Sequence, residues 1–411
     1  MNELSVSVVV VSRRRPDALR RCLTGLAQLQ YPTYEVVVVA DPAGLKSAAE
    51  LPFSSELKLV PFDKPNISAA RNLGIVEAAG EIVAFIDDDA VPEPQWLHHL
   101  VAPARQSDAA AMGGFVRGRN GISFQWQARS LDRFGEAHEI KLQNDKPVLL
   151  NPPKGRAIKT EGTNMAIRRD VLIEIHGFDP AFHYFLDETD LNMRLAQAGY
   201  ATAIVPLAEV HHGFAANRMR TSDRVPRDLF DIGASWAVFQ RKHVVVSERA
   251  AQWGRLRSNE RRRLLGHMVS GGLEPRAVRQ LMHRLDLGYV EGQEREQIAT
   301  KLAVHPAAPF KRFPTKWRKS TMIGTHPLRF QKDLKAAASR VKNDEIVTLI
   351  CLSFTAMYHH IALNKDGVWV QRGGLFGKSD RTDPLFRMTT RSRRLEKELR
   401  RVARQRGFGK G

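Results

Sequence analysis

Cysteine and long apolar runs are both scarce in this chain of 411 residues. The two cysteines, Cys22 and Cys351, stand in unrelated contexts, so neither a disulfide framework nor a cysteine-based zinc site is indicated. The nearest candidate for a membrane-spanning helix, residues 346–363, carries no charge but contains His359, His360 and several hydroxyl groups. A core helix or a pair of strands is therefore favoured over a membrane span.

Acidic residues are few compared with basic ones. The chain has 63 lysines and arginines against 44 aspartates and glutamates, which gives a formal net charge of +19. This balance indicates an anionic partner such as a nucleotide, a nucleic acid or an acidic membrane surface. Met1 leads directly into a strand-like segment, so no secretory signal is expected. We therefore expect a cytoplasmic protein, with the inner face of the cytoplasmic membrane as an alternative position.

Strand-like and helix-like segments alternate through roughly the first half of the chain. Short, largely apolar stretches predict strands at residues 5–11, 35–40, 57–60 and 82–86. Strands that are apolar on both faces and separated by helices are typical of an α/β fold with a Rossmann-like, mostly parallel sheet flanked by helices. In such a sheet a ligand binds beyond the carboxyl ends of the strands, where Ser12, Asp41 and residues 87–89 lie.

Three adjacent carboxylates, Asp87, Asp88 and Asp89, follow the fourth predicted strand. Repulsion between like charges makes this arrangement costly unless a cation binds it. A hard divalent cation that also contacts a phosphate is one candidate. The alternative is a helix N-terminus, because acids favour the positive end of the helix dipole and Pro92 suits a first helical turn. Taken alone, the stretch favours neither interpretation.

Four further stretches carry polar groups in suggestive places. Arg71 lies near the start of a predicted helix capped by Asn66, which suits either an anion site or an ordinary surface helix. Residues 161–167 place small polar side chains before an apolar stretch. Residues 187–191 hold three acids in a first helical turn, where acids are usually partners of the helix dipole. The histidine pair at 211–212 follows a predicted strand and suits a metal, although such pairs are more often structural.

The joint pattern is more specific than its parts. The matching stretches are residues 6–16, 68–74, 85–89, 162–166, 177–180 and 187–191. In this order and at these spacings, the chain resembles glycosyltransferase family 2, the nucleotide-sugar transferases of GT-A fold. The resemblance covers about residues 4–215 and implies a GT-A sheet for that part of the chain.

The resemblance implies a metal site around the acidic stretch. Asp87 and Asp89 would hold a divalent metal on the donor diphosphate, and Asp88 would contact the ribose or the metal. His211 or His212 would occupy a late ligand position found in some family members. Oxygen ligands suit Mn²⁺ or Mg²⁺, and an added histidine favours Mn²⁺.

The resemblance also implies substrate contacts. Ser12 and Asp41 would flank the nucleobase, and Arg71 would lie near the nucleotide. Asn164 and Asp190 would contribute further contacts with the substrate.

The general base would come from the acid pair Asp187-Glu188. The family has this pair in the order Glu-Asp, so the base is assigned by position, which favours Glu188 over Asp187. A second departure lies in the first loop, where the family often has Asn or Tyr and this chain has Arg13-Arg14.

These roles imply an inverting, metal-dependent glycosyltransferase that moves a sugar from a nucleotide-sugar donor to an acceptor hydroxyl. The expected acceptor is a saccharide or a lipid-linked molecule in cell-surface polysaccharide or glycolipid synthesis, and no nucleic acid is expected as its substrate. A nucleotidyltransferase is one alternative, but its usual Gly-rich, Lys-containing loop is absent from residues 12–16. A non-catalytic sugar- or polyanion-binding module is another, although both acid clusters are retained.

The remainder of the chain is more basic. We predict a GT-A domain at residues 1–215, a basic, mainly helical extension with a linker at 216–330, and a small C-terminal region with a basic tail at 331–411. Residues 387–410 contain ten basic residues and two acids. Three interpretations stay open: peripheral contact with an anionic membrane, binding of an acidic polymer, or a solvated helix face with a disordered tail.

Overall fold

The computed structural model describes residues 3–213, 218–221, 223–297 and 300–409. Its strands are β1 (Val6–Ser12), β2 (Tyr34–Ala40), β3 (Leu57–Pro61), β4 (Ile82–Asp87), β5 (Ala90–Pro92), β6 (Ala111–Arg117), β7 (Phe124–Trp126), β8 (Arg129–Leu131), β9 (Ala137–Glu139), β10 (Val148–Leu150), β11 (Ala157–Lys159), β12 (Met165–Arg168), β13 (Thr202–His212), β14 (Ser320–Thr325), β15 (Ile346–Ser353), β16 (His360–Leu363) and β17 (Trp369–Gly374). Its α-helices are α1 (Pro16–Leu26), α2 (Pro42–Ala49), α3 (Ile67–Glu77), α4 (Trp96–Leu100), α5 (Ala102–Gln106), α6 (Arg169–Glu174), α7 (Asp187–Gln197), α8 (Phe230–His243), α9 (Val246–Val269), α10 (Pro275–Glu294), α11 (Phe330–Lys342) and α12 (Arg391–Arg406).

A large sheet organises the first half of the chain. Its main path runs β10-β13-β6-β12-β4-β1-β2-β3, with β5 added to β13 and β7 added to β6. The pairs β4-β1, β1-β2, β2-β3 and β6-β13 are parallel, whereas β12 and β10 run antiparallel to their neighbours. Six of the eight strands on this path therefore point the same way, and the predicted mostly parallel α/β sheet is confirmed.

Helices cover both faces of this sheet, which explains why its strands are apolar on both sides. Alternate residues of a strand point to opposite faces. Val8 of β1 packs in one core with Leu23 of α1, and its neighbour Val9 packs in the other core with Ile75 of α3 and Leu191 of α7. All of these side chains are almost completely buried.

The predicted helical extension follows this sheet as α8, α9 and α10. Lys242 and His243, at the end of α8, lie 2.7 and 2.8 Å from Asp190 of α7, which attaches the extension to the sheet domain. Helices α8 and α10 pack so closely that a Cβ at Gly288 would lie 1.9 Å from the Phe230 carbonyl oxygen, so the absence of a side chain at Gly288 permits this packing.

A second, four-stranded sheet of order β14-β15-β17-β16 forms from the C-terminal part. Of the two expectations for the uncharged stretch 346–363, a core helix or a pair of strands, the structure has two strands, β15 and β16, with β17 between them. The sheet starts with β14, which lies before residue 330, the predicted end of the helical extension and linker. The boundary predicted at residue 215, between the GT-A domain and the extension, stays a prediction. Within the described ranges, every helix is too short or too polar to cross a membrane.

The basic C-terminal stretch is an ordered helix, α12, that joins the two sheets. Arg406 is completely buried, and its guanidinium donates to both carboxylate oxygens of Glu93 at 2.8 and 2.9 Å. The guanidinium carbon also lies 4.3 Å from the ring centre of Trp369. Next to it, Gln405 donates to Glu209 at 3.0 Å. A disordered tail, one of the alternatives above, therefore does not describe residues 391–406.

A buried histidine lies inside the second sheet domain. Nδ1 of His359 lies 2.7 Å from the amide nitrogen of Gln371, and Nε2 lies 2.9 Å from the Gly374 carbonyl oxygen and 2.7 Å from the Arg394 guanidinium. These partners favour the neutral ring. Burial, together with the nearby Arg394 guanidinium, lowers the pKa of His359 to about 4.

We expect acid to weaken this domain through His359. An unfolded histidine titrates near pH 6.5, so between about pH 6.5 and 4 the unfolded chain binds the extra proton. The stabilisation is complete above that range and is lost as pH falls through it, by up to about 3 kcal/mol. His359→Gln should therefore flatten the decline of Tm from about pH 7 to 4.5. His360→Gln, an exposed neighbour, is the control; equal declines in both variants would contradict the assignment.

Candidate active site

Strands β1, β4 and β13 end at the same edge of the large sheet. Asp87 is the last residue of β4, and His212 is the last residue of β13. The short strand β5 follows the acidic turn and pairs antiparallel with the end of β13, with Ala90 opposite His212. This return strand brings Nε2 of His212 to 3.2 Å from a carboxylate oxygen of Asp89 and 4.0 Å from one of Asp87.

Asp87, Asp89 and His212 form a candidate metal site, because one ligand atom from each lies within 4.8 Å of the others. The amide oxygen of Gln125 accepts a hydrogen bond from Nδ1 of His212 at 3.1 Å, which turns the lone pair of Nε2 toward the carboxylates. Three acceptor atoms thus converge, and a divalent cation would satisfy all of them. Two hard oxygen donors and one imidazole fit Mn²⁺ or Mg²⁺, and the imidazole favours Mn²⁺.

Asp88 has a different surrounding from its two neighbours. Its carboxylate is completely buried, lies 2.5 Å from the Arg15 guanidinium and accepts a hydrogen bond from Ser12 at 2.6 Å. Burial raises the pKa of Asp88, and Arg15 opposes that effect. In this structure the side chain of Asp88 holds the loop after β1, and its expected contact with ribose or metal stays a prediction. Ser12 itself lines the cavity described below.

Arg71 connects the two acid clusters. Its guanidinium pairs with Asp187 and lies 3.2 Å from both Asp87 and the Gly162 carbonyl oxygen. A Cβ at Gly162 would lie 2.5 Å from this guanidinium, so the site needs a glycine there. Arg71 is 3% exposed, and in this structure it bridges carboxylates of the protein. Its predicted position near the nucleotide stays a prediction.

The acid pair Asp187-Glu188 opens helix α7. It follows Phe185 and Leu186, two consecutive non-glycine residues with φ of 72° and 65°. Such left-handed residues cost on the order of 1–3 kcal/mol each and occur mainly where the surrounding structure enforces them, often at functional sites. Glu188 lies 3.2 Å from the buried amine of Lys159.

The two acids of the pair differ in exposure and in pKa. The side chain of Glu188 is 20% exposed, against 4% for Asp187. Burial raises the pKa of Asp187 to about 7, against the opposing charge of Arg71. Burial would also raise the pKa of Glu188, but Lys159 and Arg71 outweigh it and lower that pKa. Glu188 is therefore the more accessible and the more fully ionised carboxylate.

Two residues predicted to bind substrate have structural contacts within the fold. Asp41 caps α2 by accepting a hydrogen bond from the Gly44 backbone at 3.2 Å. Asn164 is completely buried; its amide oxygen accepts from Trp96 at 2.8 Å and its amide nitrogen donates to two backbone carbonyls. These side chains satisfy local backbone or buried polar groups, and their assignment to substrate binding stays a prediction.

Asp190 and His211 also lie outside the candidate site. Asp190 is completely buried among cations of α7 and α8, and these lower its pKa against the effect of burial. His211 points to the opposite face of β13 from His212 and lies 2.8 Å from Glu93, with its ring 5.0 Å from that of Trp369. Of the two histidines, His212 is the one placed beside the carboxylates.

A cavity of about 390 Å³ begins at the same edge of the sheet. Arg15, whose guanidinium lies 3.3 Å from Asp89, is part of its wall and connects the cavity lining with the acidic turn. The wall includes cations and apolar side chains that come from the ends of β1 to β3, from the start of α3 and from residues 183–184, 218–219 and 227.

Reasoning from the sequence did not single out Arg15, Gln125 or Lys159. Arg15 belongs to the basic loop after β1, and Lys159 lies three residues before a matching stretch, so both carried a weak signal. Gln125 is placed by β7, a strand of only three residues, which is too short for its sequence pattern to be recognised.

Comparison with known proteins agrees with the sequence pattern. A family model described as "Glycosyltransferase like family 2" matches residues 3–228, which is more than half of the chain. The chain belongs to glycosyltransferase family 2.

This family 2 chain has relatives of known name. It is 26% identical over 249 residues to the O-antigen biosynthesis protein RfbC of Myxococcus xanthus, covering 57% of the chain and 19% of RfbC. It is 27% identical over 238 residues to the pre-mycofactocin glycosyltransferase of Mycobacterium tuberculosis, covering 56% of the chain and 46% of that relative. It is 34% identical over 139 residues to the succinoglycan biosynthesis protein ExoM of Rhizobium meliloti, covering 31% of the chain and 44% of ExoM. The chain spans less than half the length of each of these relatives.

Among solved structures, GalNAc-T7 with UDP, GalNAc and Mn²⁺ superposes on 58% of this family 2 chain and on 48% of its own, with a TM-score of 0.44 and 16% identity.

Removing a ligand of the candidate site should weaken metal binding. We expect His212→Ala and Asp89→Asn each to lower the affinity for Mn²⁺ by at least about tenfold, since loss of even a supporting residue costs that much. Titration of free Mn²⁺ by electron paramagnetic resonance measures this without any substrate. His360→Ala, which removes an exposed histidine of β16, is the control. Unchanged affinity in His212→Ala would remove this residue from the site.

Proposed function

We propose that this protein transfers a sugar from a nucleotide-sugar donor to an acceptor hydroxyl, with inversion at the anomeric carbon and with the help of a divalent cation. The main support is the convergence of Asp87, Asp89 and His212, next to Arg15 in the wall of a cation-lined cavity. Relatives named for O-antigen and succinoglycan biosynthesis support a saccharide or lipid-linked acceptor in cell-surface polysaccharide or glycolipid synthesis. A cytoplasmic location stays a prediction.

The composition of the cavity supports a nucleoside diphosphate as the bound part of the donor. Six cations line the cavity: Arg13, Arg14, Arg15, Lys64, Arg218 and Arg227. Val39, Phe62 and Ile67 add apolar surface. A nucleoside diphosphate combines an apolar base with a charged diphosphate, and both kinds of wall are present. Since Arg15 reaches Asp89, the diphosphate would lie at the candidate metal site.

The residues of the candidate site have separate tasks in this proposal. A cation held by Asp87, Asp89 and His212 would neutralise the charge that develops on the leaving diphosphate. Gln125 orients His212, and Arg15 holds the acidic turn through its contact with Asp89.

Glu188 is the proposed general base. It takes the proton of the acceptor hydroxyl while the acceptor oxygen bonds to the anomeric carbon and the bond to the diphosphate breaks, so that the diphosphate leaves with the electron pair. Attack from the face opposite the leaving group inverts the anomeric centre. The exposure of Glu188 supports this assignment, and its lowered pKa means that the carboxylate is ionised and free to accept a proton. Asp187, paired with Arg71, positions the start of α7.

Loss of the proposed base should slow catalysis without weakening donor binding. We expect Glu188→Gln to reduce kcat by about 10²–10⁴-fold, because general base catalysis contributes that much. The measurement is release of nucleoside diphosphate from a panel of nucleotide-sugars with Mn²⁺, together with the Kd of the matching nucleoside diphosphate. Glu136→Gln, an exposed acid away from α7, is the control. A loss confined to the Kd would reject Glu188 as the base.

Asp89→Ala should abolish donor turnover while the protein stays folded. Asp89 is a proposed metal ligand, and loss of charge stabilisation on the leaving group costs several kcal/mol, on the order of the 3–4 kcal/mol found for single stabilising groups. The same panel measures turnover, and circular dichroism checks the fold. Full turnover in this variant would overturn the proposed function.

A further inference from the structure

Two loops of the second sheet domain expose a group of apolar side chains. Every residue of the stretches 354–358 and 384–388 is exposed to solvent. The large apolar side chains among them are between 53% and 87% exposed: Phe354, Met357, Tyr358, Leu385, Phe386 and Met388. A cluster of this kind on a protein surface marks a contact site.

The two loops form one continuous surface, joined by Phe376. The Phe376 ring lies 6.2 Å from that of Phe354 and 5.3 Å from that of Phe386. The backbone of Phe376 also donates to Thr355 at 3.1 Å and accepts from Arg387 at 3.0 Å. We call this surface, residues 354–358 and 384–388 with Phe376 between them, the apolar patch.

Cations without acidic partners surround the apolar patch. Within the part of the chain that the structure describes, five basic side chains here have no carboxylate within ion-pair distance: Lys378, Arg381, Arg387, Arg391 and Arg393. The Lys378 amine lies 6.0 Å from the Tyr358 ring centre. Met388 lines a groove of about 380 Å³ together with Arg387 and Arg393. Two nearby acids, Asp383 and Glu396, are already paired with Lys397 and Arg400.

The apolar patch is close in the chain to the rim of the candidate active site. Tyr358 is followed by the buried His359 and then by His360, which lines a groove with Gln125. Gln125 is the residue that holds His212. The backbone N–H of the neighbouring Ile361 donates to the Asn120 carbonyl at 2.8 Å. This bond ties β16 to the loop that leads into β7, the strand of Gln125.

We propose that the apolar patch and its cations dock this protein on an anionic lipid bilayer. Aromatic and apolar side chains on loop tips can enter the headgroup region, while lysine and arginine beside them neutralise anionic lipids. A polyanion would use the cations but leave Phe354, Phe386 and Met388 in water. A protein interface core would be depleted of unpaired charges. The combination fits a lipid surface, and it stands independently of the proposed sugar transfer.

Co-sedimentation of the full chain with lipid vesicles tests this proposal. Vesicles of phosphatidylglycerol and phosphatidylcholine are compared with vesicles of phosphatidylcholine alone, each at low and high salt. One variant removes apolar surface: Phe354→Ser, Phe386→Ser and Met388→Ser combined. A second reverses charge: Arg387→Glu with Arg393→Glu. All five side chains are exposed, so the fold should be retained, and Tm checks this.

Matched control variants carry the same kinds of change on the helical extension. Val269→Ser with Val290→Ser removes valines that are 85% and 63% exposed. Arg276→Glu with Arg279→Glu reverses two exposed charges of α10. Neither pair lies on the apolar patch.

We expect the parent chain to bind anionic vesicles and to bind phosphatidylcholine vesicles weakly. The apolar variant should bind at least about tenfold more weakly at both salt concentrations, since buried apolar groups contribute independently of salt. The charge variant should lose binding at low salt, and both controls should bind like the parent. Absence of binding by the parent, or an equal loss in the charge control, would overturn the proposal. The proposal would also be overturned if the variants bound vesicles like the parent and changed only the mass of the protein in sedimentation velocity. That result would indicate contact between copies of the chain. Donor turnover plays no part in the assay, so its outcome is separate from that of the proposed function.

Discussion

A single buried arginine holds the two acidic halves of the candidate site together. Arg71 pairs with Asp187 at the start of α7 and lies 3.2 Å from Asp87 at the end of β4, so carboxylates from distant parts of the chain share one counter-charge. Removing one partner of such a buried pair costs about 3–5 kcal/mol, because it leaves an uncompensated charge. The missing side chain at Gly162 makes room for the guanidinium. The geometry of the acids is therefore set before any donor binds.

Much of this arrangement could be predicted from the sequence, and the limits have physical causes. Short apolar strands that alternate with helices indicated the sheet, and three adjacent acids at a strand end indicated a cation site. The choice between His211 and His212 depends on which face of β13 each side chain occupies. The face that each histidine occupies is fixed where the end of β13 pairs with β5. This strand has only three residues, and the pattern of apolar residues in the sequence did not reveal it.

Residue types were predicted better than roles. Asp88 and Asn164 lie in the expected stretches, but their side chains contact residues far away in the chain, and local sequence does not reveal those contacts. A motif contains residues that shape a turn as well as residues that contact a substrate, and local sequence does not separate them. The same reason explains the C-terminal stretch: its composition is basic, yet Arg394 and Arg406 are buried in polar networks.

The pairing of Arg406 with Glu93 has a consequence for folding kinetics. These residues are 313 positions apart, and closing a loop of that length costs on the order of 5 kcal/mol of chain entropy. Contacts with such separation form late, after local helices and neighbouring strands. Glu93 also binds His211, next to His212, so the strand that carries the proposed nitrogen ligand gains its last support in a late step. The large sheet can thus form before its metal-binding edge becomes rigid.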